Sequence, residues 1–147
     1  MAIWDWVLDA YGRLGVPAAT LALQDAHGQN TSYLLWAVHA ATVDPDVLAR
    51  AAAAARVWDQ TALTPLREVR RGLKPAMPPF SDSARESLRV SVKGLELAAE
   101  RLLMETLAAM SPAVGGASTL AALKAASKAW GDPAPDNALA DLAAALG

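Results

Sequence analysis

The sequence predicts an all-α protein, one domain over residues 1–147, with about seven helices arranged around two long antiparallel ones. Three observations carry that expectation. The apolar fraction is 54%, yet Ala supplies much of it and Phe occurs once, a composition that favours helices packed closely through small side chains. Every periodic apolar segment repeats at about 3.6 residues and none alternates at two, so helices are indicated and strands are not. Pro, Gly and capping residues then punctuate the chain at helix-length intervals. A chain of 147 residues is long enough to bury one sizeable core.

The first helix is expected from Ile3 to Leu14, with Trp4, Val7, Leu8, Tyr11 and Leu14 at helical spacing and Gly15 as its stop. Pro17 suits the first turn of a second helix that runs to about Ala26, buries Leu21 and ends at Gly28. Asn30 or Thr31 can cap a third, through about Ala41, which carries Tyr33, Leu34, Leu35, Trp36 and Val38. Asp44-Pro45 combines an N-cap with Pro at the first helical position. From there a long helix is expected to Lys74, kinked near Thr61 because Pro65 lacks a backbone donor and crowds the preceding turn.

Residues 74–80, KPAMPPF, cannot be helical and form the clearest connector. Ser81 or Asp82 caps a second long helix to about Met110. Its seam reads as Leu88, Val92, Leu95, Ala99, Leu102, Leu103 and Met110, with Arg85, Arg89, Lys93, Glu96, Glu100 and Glu105 off it. Gly94 at mid-helix costs about 1 kcal/mol against Ala, which points to a close helix crossing. Ser111-Pro112 ends this helix and Gly115-Gly116 supplies a flexible bend. Ser118 or Thr119 begins a helix to Trp130, and Asp136 caps a last one to Leu146.

The sharpest chemistry lies in Trp58–Lys74. At 100° per residue, Trp58, Ala62, Leu66, Val69 and Leu73 share one side, and Arg67, Arg70, Arg71 and Lys74 share the other. Against Glu68 these four cations make a local charge of +3, which leaves -5 for the rest of a chain of net charge -2. Arginine forks suit bidentate binding of carboxylate or phosphate, so the stripe is a candidate binding face. The competing reading is a solvated face whose charges pair within the domain. Four cations are too few for sequence-specific DNA recognition, and the aromatic interleaving expected of a single-strand binder is missing.

A second polar cluster, Gln24, Asp25, His27 and Asn30, sits at a helix end and its turn. Asp25 and His27 are the only candidates for acid–base work, although residues two apart on a helix point about 200° from each other. A capping and turn network is the alternative. No cofactor or metal is expected: the chain has no cysteine, and its two histidines lack a ligand spacing. No run approaches the length of a membrane span, and Asp5 and Asp9 fall where a signal peptide needs cations, so a soluble cytoplasmic protein is expected.

Two blocks carry a resemblance. Trp4 to Tyr11, Leu23-Gln24-Asp25, Gly28 and Leu34-Leu35-Trp36 are followed in order by Trp58 and Pro65-Leu66-Arg67-x-x-Arg70-Arg71-x-Leu73-Lys74. Over residues 4–74 this resembles a family of small proteobacterial proteins built on a domain of unknown function. The chain departs from that pattern at Asn30-Thr31-Ser32 and at Thr20. The resemblance implies a bacterial origin and brings no activity with it.

The expected function is a non-enzymatic binding or regulatory module that presents Arg67, Arg70, Arg71 and Lys74 to an acidic protein or small anionic ligand, with Gln24 and Asn30 as further candidate binding residues. The alternative is an enzyme acting on a small anionic substrate at the Gln24–Asn30 turn. The third reading is a structural homo-oligomer joined through Ala-rich faces such as Ala51–Ala55.

Overall fold

The computed structural model describes residues 1–147 and is helical throughout: α1 Ile3–Tyr11, α2 Val16–His27, α3 Thr31–Ala40, α4 Pro45–Trp58, α5 Thr64–Gly72, α6 Asp82–Met110, α7 Thr119–Trp130 and α8 Asp136–Leu146. A π-helical turn, Asp59–Leu63, joins α4 and α5 into one interrupted rod, so the chain forms seven rods. The core is built around α3. Tyr33, Leu34, Leu35, Trp36 and Ala37 are all buried in succession, which requires cover on every side. α6 and α7 supply most of it, with α1, α2 and α4 closing the remainder, while α8 packs on α2 and α7.

The capping residues set the boundaries as their chemistry demands. Asn30 Oδ1 accepts from Tyr33 N at 2.9 Å, Asp44 Oδ1 from Asp46 N at 2.9 Å, and Ser118 Oγ from Ala121 N at 3.2 Å. Asp136 differs: it is the first residue of α8, and the cap is Pro135, with no side-chain bond. α1 stops at Tyr11, which leaves Leu14 in solvent. α2 begins at Val16 and buries Val16, Thr20 and Leu23; Leu21 is exposed.

The expected kink before Pro65 takes the form of the π turn, closed by Thr64 N donating to Asp59 O. Widening the turn by one residue relieves the clash of the proline ring with the preceding carbonyls. It also shifts the phase of everything after it by about 100°. This overturns the uniform face drawn through Trp58, Leu66 and Val69. Val69 is exposed, no residue of α5 is buried, and Arg67 and Arg70 are turned partly inward.

α6 is likewise rotated from the expected seam. Val92, Ala99, Leu103, Met104 and Leu107 are buried, whereas Leu88, Leu95, Leu102 and Met110 stand exposed. Glu96 and Glu100, expected off the seam, are partly buried instead. Gly94 serves no crossing within the domain, since a side chain there would meet nothing within 4 Å. Gly115 is the reverse case. A Cβ there would lie 2.2 Å from Ala41 O, and Gly115 N donates to Ala40 O at 2.8 Å, so this loop is a tight seal on the end of α3 and not a flexible bend. Ala51, Ala52 and Ala55 are buried in the core, which removes them as an oligomer face.

Candidate functional site

The last turns of α2, the whole of α5 and the middle of α6 bring the candidate residues together. Arg67 donates to Gln24 Oε1 at 3.1 Å and Arg71 to Asp25 Oδ1 at 2.9 Å. Arg70 pairs with Glu96 of α6 at 2.5 Å. The basic stripe and the polar helix end therefore meet, through side chains 43 and 46 residues apart in sequence. Guanidinium groups near the carbonyl end of α2 also complement its dipole.

The three arginines are not equivalent. Arg70 and Glu96 have side-chain exposures of 25% and 14%, so their pair is largely shielded and braces α5 on α6. Arg71 and Asp25, at 54% and 42%, make a surface pair of small energetic weight. Arg67 is half-buried, and its only side-chain bond goes to an uncharged amide. Lys74 lies exposed beyond Gly72 in the connector, outside the helix expected to carry it.

Asp25 and His27 do not converge. Asp25 bonds with Arg71 and Gln24 and not with His27, whose backbone carbonyl accepts from Gln29 Nε2 at 3.1 Å. Asn30 is a buried cap, and its Nδ2 has no partner. The turn between α2 and α3 is instead tied to the far end of the chain. Gln29 Nε2 donates to Asp132 O, Ser127 Oγ donates to Gln29 Oε1, and Trp130 Nε1 donates to Gly28 O. These bonds satisfy the buried amide of Gln29 and anchor the turn to the segment that ends α7.

The titrating group of this region is one the sequence did not single out. Burial raises the Glu100 carboxyl to about 7, the neighbouring Glu96 carboxylate pushes the same way, and Arg67 and Arg70 oppose them. Tyr11, at the end of α1, is raised to about 12 by burial and then by Glu100, against the influence of Thr31. Glu96 and Glu100 sit one turn apart and so share a helix face, but only the packing reveals that this face turns toward α5. No three His, Asp or Glu side chains gather as metal ligands would. No helix is long and apolar enough to cross a membrane.

A family model described as a protein of unknown function, DUF2390, matches residues 2–107. The chain belongs to the DUF2390 family. The match spans α1 to nearly the end of α6, and with it every residue of the α2–α5–α6 junction; α7 and α8 lie beyond it. In this DUF2390 chain the core nevertheless depends on α7, because Tyr33 Oη donates to Ala126 O at 2.9 Å and Leu123 and Ala126 are buried. No curated protein and no solved structure matches the chain.

Proposed function

We propose that the protein is a non-enzymatic binding module whose α2–α5 face takes an anionic group, a carboxylate or phosphate presented by a partner or small ligand. Arg67 carries this reading. It is a half-buried cation bonded only to the neutral carbonyl of Gln24, so most of its donor fork is uncommitted. Partial desolvation strengthens its attraction for an anion relative to a fully solvated arginine. Arg71 adds a second fork, because an incoming anion can replace its exposed contact with Asp25 at little cost. Lys74 contributes longer-range attraction, and Arg70 stays with Glu96 as scaffold.

Calorimetric titration at low salt with citrate, inorganic phosphate and an oligoglutamate peptide tests this. At least one should bind, weaken as salt is added, and lose roughly tenfold or more in affinity with Arg67→Gln. Binding that ignores Arg67→Gln, or no binding by any of the three, removes the reading.

One observation favours a catalytic alternative. A carboxyl raised to about 7 beside a buried phenol can hold or release a proton at neutral pH. On that reading Glu100 is the acid–base group, the arginines grip the substrate, and Asp25 and His27 take no part in proton transfer. Conversion of a bound anion, abolished by Glu100→Gln while binding persists, would favour the enzyme over the module.

A further inference from the structure

The outer face of α6 has the composition of a buried surface. From Ala84 to Leu102 it presents Ser87, Leu88, Ser91, Gly94, Leu95 and Ala98, all exposed and none charged. Leu88, Leu95 and Leu102 are 54%, 57% and 51% exposed. A helix face in water normally carries Lys, Arg, Glu or Asp, and five turns without any is the pattern of a contact seam. The apolar surface continues at both ends. Near Leu102 it meets Val57 of α4 around a cavity of about 240 Å³, and near Leu88 it meets Phe80 and Met77 around one of about 300 Å³.

We propose that α6 packs antiparallel on α6 of a second copy of this chain, about a two-fold axis at Leu95. Three features select a second copy as the occupant. The leucines recur every seven residues and are spaced evenly about Leu95, so a two-fold axis there seats Leu88 of each copy against Leu102 of the other. The interposed residues are small, and Gly94 has open space where a side chain would stand, which permits close approach of two backbones. A glycine that weakens the helix and touches nothing in its own domain thereby acquires a packing role. Finally, a five-turn seam together with the flanking Val57 and Phe80 is on the order of the 800 Å² per partner that a standard interface buries. The nearest charge, Glu105, lies at the rim and already pairs with Arg101 at 2.8 Å, so no unpaired charge is trapped.

Sedimentation equilibrium tests the pairing on the full chain. The wild type should be dimeric in the tens of micromolar, and Leu95→Glu should weaken association by roughly a hundredfold or more with its helical signal kept. The chain has no cysteine, so single replacements report cleanly on geometry. Leu95→Cys sits on the axis and should form an interchain disulfide under mild oxidation. Leu88→Cys should not, because antiparallel pairing places the two copies roughly 20 Å apart. A wild type that stays monomeric overturns the proposal, whether or not the face then binds lipid vesicles or another protein. Cross-linking of both variants overturns it too, since that places the helices parallel.

Discussion

The two ends of α6 are held by different physics. Its last three turns contribute Leu103, Met104 and Leu107 to a core where α1, α3 and α4 enclose them. Its first ten residues, Asp82 to Ser91, include none that is buried, and α5 buries none either. From this end to its middle, α6 meets α5 and the connector through Arg85 donating to Leu73 O at 3.0 Å, around the exposed apolar cavity at Phe80, and through Arg70–Glu96. Apolar burial is insensitive to pH and salt, whereas an arm joined by ion pairs and half-buried carboxyls responds to both. The difference teaches that the region whose contacts respond to pH and salt is the one that contributes least to the core.

The largest expected effect breaks the core end. Trp36 is fully enclosed, its Nε1 has no partner, and its side chain fills the centre of α3's packing. Trp36→Ala should cost about 3–5 kcal/mol in urea unfolding, the usual sum of lost transfer energy and residual cavity. A loss below about 1 kcal/mol would mean that the core is not centred on α3.

The next effect lies between the two ends, at Glu100, and has the opposite sign. Glu100 holds its proton up to about 7 in the folded chain, against 4.5 ordinarily. The folded state therefore binds more protons than the unfolded one between those values, and stability falls as pH rises through that window. Glu100→Gln removes the penalty of the buried charge. It should stabilise the protein at pH 8 by on the order of 2–3 kcal/mol and have little effect near pH 4.5. A pH-independent difference between variant and wild type would show that Glu100 does not titrate in this range.

Much of this fold was legible because helix ends are written locally. Asn30, Asp44, Ser81 and Ser118 cap the helices that their side chains announce, and Pro65 marks the break that the π turn makes. The faces of α5 and α6 were not legible. Face assignment by periodicity assumes an uninterrupted phase, which the inserted residue of the π turn destroys. It also assumes that charges seek solvent, and Glu96 with Arg70 instead satisfy one another across a helix contact. The site was half readable for the same reason. Gln24, Asp25, Arg67 and Arg71 stood out as polar clusters and do meet. Glu96, Glu100 and Tyr11 looked like ordinary surface and amphipathic residues until packing placed them.

The smallest effect separates scaffold from binding face within the arginine stripe. Arg70→Ala strands the Glu96 carboxylate, which is only 14% exposed, and should cost about 2 kcal/mol, below the 3–5 kcal/mol of a fully buried pair because solvent still reaches both groups. Arg71→Ala breaks a pair whose partners are both about half exposed, so its cost should stay within about 0.5 kcal/mol. A double-mutant cycle of Asp25→Asn and Arg71→Ala should find coupling of that same size, fading with added salt. If Arg71 is kept for an incoming anion, its removal should lower affinity in the titrations above while leaving the urea midpoint nearly unmoved. A coupling of 2 kcal/mol or more, about that expected for Arg70, would put Arg71 in the scaffold as well and leave Arg67 and Lys74 alone on the binding face.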